Sequence, residues 1–446
     1  MTSPAGELDR TTEQVLAHVS RDRLLTAVLA VTSVPSPTGG EATLAHLLVE
    51  HLERAGVPAQ AQHLDALQAN AVGILRGTGS GPSLMLYSPI DTLTTGTVEQ
   101  DVPWIGPRLR PDMLAEPVVH GDLVEGLGAS NPKGHAACVL VAVQALAASG
   151  VTLGGDVVAA FGAGGMPTFA VPGAGTPGRE NTGHGAGCSF LLERGHVTDA
   201  AVIAKPGWGV SHEEVGLVWF DVVVPGTHTY VGSRHRLPYA NPVVLVADVA
   251  LRLERWLADY PARHAYGTML PQGIIGAVVG GWERMVAVTP AAVRLRVDLR
   301  ITPLLPPAAA RREFAAAVAR IGDELGLALE VEMVAAIPAS STNPQSDVVR
   351  ATVEAWEHVA GDSHVPLSGG SGATDANILR GRGVPTARIG MPKVTRSSSA
   401  DESIDFARGM NTVDVREMHR LVHVLVRTAL ALTAEPSGGP AGAGST

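Results

Sequence analysis

The sequence predicts an α/β fold: a mostly parallel sheet domain of the catalytic type, interrupted by an inserted α+β domain. Two observations carry this. Short apolar runs, Leu84–Tyr87, Val157–Phe161, Val202–Ala204 and Ala387–Ile389, have the length and composition of buried strands. They alternate with helical periodicities, Leu44, Leu47, Leu48 and Leu52 on one face and Val415, Met418, Leu421, Val422 and Leu425 on another, which implies layered strands and helices. A third observation is a change of pattern between Val215 and Ala339. There the order is strand (Leu217–Val224), helix (Pro242–Leu257), strand (Gly273–Val279), strand (Ala292–Leu299), helix (Ala308–Leu325) and strand (Leu327–Met333), the ferredoxin-like order of a small α+β sandwich.

The expected organisation is therefore a main domain over 11–214 and 340–434, an inserted domain over 215–339 and a disordered tail over 435–446, with 1–10 frayed. Ser340–Pro344 reads as the return linker. Gly162–Gly187 is a long Gly- and Pro-rich stretch of the kind that is usually functional.

Composition narrows the function. The chain has 446 residues with 45% hydrophobic and 17% charged, enough to bury a large core and far from a disordered composition. Lys and Arg number 33 against 43 Asp and Glu, a net charge of −10; with no basic run, no nucleic-acid partner is expected. Two cysteines, Cys138 and Cys188, form no disulfide framework and no Cys-rich metal module. The first residues lack an apolar signal core. The most apolar stretch, Ala136–Ala148, is shorter than the ~20 residues a membrane helix needs. A cytoplasmic protein with no membrane partner is the expectation.

Several segments, in order, resemble the dizinc aminoacylase, acetylornithine deacetylase and carboxypeptidase G family of metallopeptidases. VPSPTGGEATLAHLLVEHLERAG resembles its opening PS-x-T-G-x-E helix. NAVGILRGTGSGPSLMLYSPIDTL resembles its G-H-x-D-T-V strand, and VHGDLVEGLGASNPKGHAACVLVAVQAL its G-R-G-x-x-D-x-K-G turn and helix. PGTHTYVG with ANPV resembles the histidine and Asn segment of the inserted domain, and GGSGATDANILRGRGVPTARIG the G-x-x-D-A and G-I-P pattern. The resemblance implies that the inserted domain acts as a lid and dimerisation domain, that the protein is a homodimer, and that it acts on a small molecule.

The family holds two zinc ions with two His and three carboxylates, and a further Glu serves as base. In this chain the His-x-Asp is Pro89-Ile90-Asp91, the bridging Asp is Asn131, the Glu-Glu pair falls near Gly165-Met166, the next carboxylate is Lys205 and the last histidine is Ser398. Zinc needs about four N, O or S donors. Asn carries no charge, an ammonium repels a cation, and none of the 16 histidines stands in an H-E-x-x-H motif. The inherited zinc site is therefore expected to be absent, with no other cofactor. Loss of two Zn²⁺ together with the carboxylates keeps a buried pocket close to neutral, which isolated loss of either set does not.

The candidate site residues follow. Lys205 stands at the C-terminal end of a buried strand, where α/β sites sit; it either replaces the Lewis acid or is a solvent-facing loop lysine. Asn131 precedes Pro132 and is a ligand-binding residue or an N-cap. Lys133, kept from the family motif, lies one turn into the following helix; Ser130-Asn-Pro-Lys133 also has Ser-x-x-Lys spacing, which the family's own Lys explains. Asp91 is a base, a lysine partner or a turn residue. His228 matches the lid histidine, which in the family reaches a neighbouring active site and steadies the tetrahedral oxyanion, and Asn241 the nearby Asn. Asp375 heads a helix, and the preceding GGSG, with Gly372, could offer backbone N–H groups to a carboxylate. Ser398 lies in a run of three serines where a ligand loop stood.

Catalytic roles thus fall to Asp91, Lys133, Lys205 and His228, and substrate binding to Asn131, Asn241, Gly372, Asp375 and Ser398, with no metal ligands. The expected activity is metal-independent, of the amidohydrolase type, on a small polar amide, ureido or N-acyl compound bearing a carboxylate. The alternatives are a pseudoenzyme that binds a small molecule or partner without turnover and, more remotely, a conventional dizinc metallopeptidase.

Overall fold

A computed structural model describes residues 4–170, 183–394 and 405–434. The chain divides into two compact units, 1–212 with 342–366 and 374–446, and 213–341 with 367–373.

The first unit is built on a six-stranded sheet in the order Ala59–His63, Ala69–Leu75, Val157–Gly162, Leu84–Pro89, Ala200–Ala204, Thr386–Ile389. Three of its five pairings are parallel and two antiparallel, the mixed, mostly parallel sheet the sequence predicts. Leu84–Pro89 and Val157–Gly162 are buried along their whole length, which is why they read as continuous apolar runs. On one face lie the helices Lys133–Ser149 and Val415–Thr433, whose Ala136, Val139, Leu140, Met418 and Leu425 enter the main core. Cys138 is buried there as a small apolar group. On the other face Ala186–Glu193 and Ala376–Gly381 supply Cys188, Leu191, Ala376 and Leu379.

The second unit carries a four-stranded antiparallel sheet in the order Gly273–Gly280, Ala292–Ile301, Gly216–Pro225, Glu330–Ile337, with helices Pro242–His264 and Pro307–Leu325. Phe220 stacks on Phe314 with ring centroids 4.3 Å apart.

Two sequence expectations need correction. The residues expected to fray form part of a helix, Pro4–Leu16. Val15 is fully buried and Asp9 accepts from Arg427 Nη1 at 2.6 Å, so this end is tied to the C-terminal helix. The strand expected from Leu327 starts instead at Glu330. The Leu327 amide donates to Gly322 O at 2.8 Å, next to Gly326 at φ 66°, so the apolar residues after the glycine close the preceding helix in a Schellman turn. Of the Gly162–Gly187 stretch, 171–182 lies outside the described residues, as do Ser398 and the tail from Glu435.

Candidate active site

The first unit presents its chemistry at the carboxyl ends of the parallel strands, the usual position for a site in an open α/β sheet. Lys205 follows Ala200–Ala204. Its backbone is locked to the neighbouring strand, with Lys205 N donating to Ile389 O at 3.0 Å. The approach is so close that a Cβ on Gly390 would come within 1.7 Å of Lys205 O. The Lys205 side chain is 6% exposed, which removes the solvent-facing reading. Its Nζ donates to Asn131 Oδ1 at 3.3 Å. An ammonium only donates, so the Asn131 carbonyl faces it and the Asn131 Nδ2 remains a donor. Asn131 does not cap the helix, which starts at Lys133 with Pro132 as its cap.

Asp91 follows the strand Leu84–Pro89 and is fully buried. Its Oδ1 accepts from Gly165 N at 2.7 Å, and its Oδ2 from Thr38 Oγ1 at 2.7 Å and Met166 N at 2.9 Å. Burial raises its pKa, opposed by the Thr38 hydroxyl, the two amides and the Lys205 charge. With three donors on its two oxygens, Asp91 anchors the turn; these contacts do not favour the role of base.

Glu41 is the acid that sequence reasoning passed over. It stands just before the helix Ala42–Arg54, where an acid reads as a cap, yet it makes no side-chain cap bond. Its Oε1 accepts from Gly164 N at 2.9 Å and Gly39 N at 3.0 Å. Its buried Oε2 has no hydrogen-bond partner among the described residues. Burial and the nearby Asp91 charge push its pKa up to about 8, so Glu41 holds a proton at neutral pH. The three successive amides of Gly164, Gly165 and Met166 are thus gripped by two carboxyl groups.

Beneath the same turn, Tyr87 donates its hydroxyl to Asp375 Oδ2 at 2.6 Å. Asp375 precedes the helix Ala376–Gly381 without a side-chain cap bond. A Cβ on Gly165 would lie 2.8 Å from Asp375 Oδ2. His135 is also buried, its Nδ1 donating to Ser130 O at 2.7 Å and its Nε2 accepting from Met391 N at 3.2 Å. Burial first, then the Lys205 charge, push its pKa down to about 3, so it is a neutral wedge.

Lys133 stands apart. It is fully buried and its Nζ donates to Val34 O at 2.7 Å and, more loosely, to Thr32 O at 3.5 Å. Burial pushes its pKa down to about 7. It braces the Thr32–Val34 backbone, and we revise its expected part from catalytic residue to positioning residue.

The second unit holds the other three candidates. His228 is exposed, and its Nδ1 donates to Thr289 O at 2.7 Å, which leaves Nε2 for a ligand. Asn241 caps the helix Pro242–His264, accepting from Val243 N at 3.0 Å. Gly372 is exposed, with open space around its Cα. The structure therefore brings together Asp91, Asn131, Lys205 and Asp375 in one unit, and places His228, Asn241 and Gly372 in the other.

Comparison with known proteins fixes the family. The model of Peptidase family M20/M25/M40 matches residues 85–431. The chain belongs to that family. Membership places it among hydrolases acting on C–N bonds. Among curated proteins it is 23% identical over 433 residues, 89% of this chain and 93% of the other, to an N-formyl-4-amino-5-aminomethyl-2-methylpyrimidine deformylase from Halalkalibacterium halodurans. Among solved structures it is similar to human carnosine dipeptidase 1, with a TM-score of 0.68 at 12% identity over 96% of this chain and 98% of that one. It is also similar to a hydantoinase/carbamoylase family amidase from Burkholderia ambifaria, with a TM-score of 0.57 at 17% identity over 96% and 99%. At these identities the structures speak for the fold.

The dizinc centre implied by the family does not fit the described donor set. Where ligands would stand, Asn131 and Lys205 offer an amide and an ammonium. A Cβ on Gly165 would lie 2.3 Å from Pro89 Cβ, so the positions that would carry a Glu and a His are packed against each other. Among the described residues no group of three or more His, Cys, Asp or Glu is placed to hold a metal. No helix among them is long and apolar enough to cross a membrane.

Proposed function

We propose that this M20 protein hydrolyses the C–N bond of a small N-formyl or N-acyl amide without a metal ion, with Lys205 and Asn131 binding the carbonyl. The observation that carries this is the buried Lys205 Nζ at 3.3 Å from Asn131 Oδ1. It sets an ammonium beside an amide that also carries a donor, Asn131 Nδ2, and paired donors of this kind stabilise a developing oxyanion in a water-poor site. Asp91 balances the ammonium. Water adds to the carbonyl carbon, the C–N bond breaks, and the proton lost from water ends on the departing amine. The substrate class draws on the deformylase relative and the amidase neighbour.

The test is a pair of variants assayed on an N-formyl aminomethylpyrimidine and an N-carbamoyl amino acid. Lys205→Met and Asn131→Ala should each lower kcat/KM by about a hundredfold or more, and exhaustive chelation should leave the wild-type rate unchanged. Activity that chelation removes and zinc restores would overturn the metal-free reading. The donor-saturated state of Asp91 favours a second reading, binding without turnover; the same assay decides it, since tight binding with no product in the wild type would establish it.

The proposal includes a homodimer formed through the second unit. Gly273–Gly280 is an edge strand, with Ile274 and Val278 each 60% exposed, and an unpaired apolar edge is a template for a second copy. A cytoplasmic location is part of the reading, supported by two free cysteines.

A further inference from the structure

In the first unit a cavity of about 320 Å³ has Asn131 in its lining. Its walls are Leu93, Trp104, Met113, Leu127, Phe406 and Met410. Trp104 is 82% and Phe406 70% exposed, an unusual cost for two aromatic rings unless something covers them. The slot is preformed. Arg110 grips Asp112 through Nε at 2.9 Å and Asp405 through Nη1 at 2.9 Å, which ties the residue before Phe406 to the residue before Met113. Asn411 accepts from Gly128 N at 2.8 Å and donates to Asp112 Oδ2 at 3.2 Å, so both polar ends of its side chain are engaged within the wall. Among the described residues the charged lining residue is Asp405, which is negative and paired with Arg110, so none of them offers a cation to a carboxylate.

Resting on the reading of Lys205 and Asn131 as carbonyl-binding groups, we infer that the substrate is an amide with an uncharged aromatic arm of one or two fused rings. The arm lies between Trp104 and Phe406, and the carbonyl reaches Asn131. The size follows from volume: a dry apolar cavity of about 150 Å³ accepts benzene, and this slot is about 320 Å³. The two flanking rings suit stacking on a flat group, and the methionines adapt to its outline. This departs from the small polar, carboxylate-bearing substrate expected from sequence.

Isothermal titration with 2-naphthoate, benzoate and acetate, which carry a product-like carboxylate to Lys205, tests it. 2-Naphthoate should bind at least about thirtyfold more tightly than acetate. Trp104→Ala and Phe406→Ala, both at exposed positions and so compatible with folding, should each weaken 2-naphthoate about tenfold and leave acetate unchanged. Lys205→Met should weaken all three. Equal affinities for acetate and 2-naphthoate, no binding of either, or indifference of 2-naphthoate to both ring truncations overturns the slot. A slot that fails while hydrolysis still depends on Lys205 leaves the proposed reaction standing. Ring preference with hydrolysis indifferent to Lys205 removes the reaction and keeps the slot.

Discussion

Gly165 donates its amide proton to Asp91 Oδ1 at 2.7 Å. The resemblance puts a zinc-binding glutamate at about this glycine. Here its missing side chain leaves room for Pro89, and its N–H is a partner for Asp91. The turn's amides are held by the carboxyl groups of Glu41 and Asp91.

The first prediction concerns that packing. Gly165→Glu, which restores the family's carboxylate, should fold less stably by about 1–3 kcal/mol, because its Cβ would lie 2.3 Å from Pro89 Cβ. Thermal unfolding read by circular dichroism checks this. An unchanged Tm would mean that the turn is looser than the structure shows.

A second prediction follows from Glu41. Its folded pKa of about 8 lies above the ordinary carboxyl value of 4.5. Between those values the folded chain binds more protons than the unfolded one, so this group's contribution falls as pH rises through that window. Glu41→Gln keeps the Oε1 acceptor for Gly39 and Gly164 and removes the titration. Its stability relative to wild type should therefore rise steadily from about pH 5 to about pH 8. Parallel Tm curves for the two proteins over that range would refute the assignment.

Lys133 allows a sharper separation of roles. Its ammonium serves Val34 O, so Lys133→Met should cost about 1–3 kcal/mol of stability by leaving buried carbonyls unpaired. Where the variant stays folded, kcat should change only a few-fold, in contrast to Lys205→Met. The lysine's own titration has the opposite sign to that of Glu41. With a folded pKa of about 7 against 10.5, its contribution rises as pH increases through that window.

The homodimer is checked by charge. Ile274→Asp with Val278→Asp adds two like charges per copy to the edge strand Gly273–Gly280. Sedimentation velocity should show a dimer for wild type and a monomer for the double variant, with far-ultraviolet circular dichroism unchanged. A monomeric wild type at micromolar concentration would end the idea.

Much of the fold was legible from residue pattern. Continuous apolar runs marked the buried parallel strands because a strand covered on both faces tolerates no polar side chain. The order of strands and helices between Val215 and Ala339 marked the second unit. The pattern missed the helix Pro4–Leu16, whose apolar face is sparse and whose anchor, Arg427 on Asp9, is 418 residues away along the chain.

What the sequence determined alone is the family resemblance and the chemical identity of its departures: Pro89, Asn131, Gly165 and Lys205 are read directly. What the tertiary structure decided is how those departures meet. Charge and burial depend on neighbours brought from distant strands, so no local pattern could say that Lys205 faces Asn131, that Lys133 is spent on Val34, or that Glu41 keeps its proton beside Asp91. The apolar slot is likewise a property of packing, because Trp104 and Phe406 come to line one cavity only when the chain between them has folded.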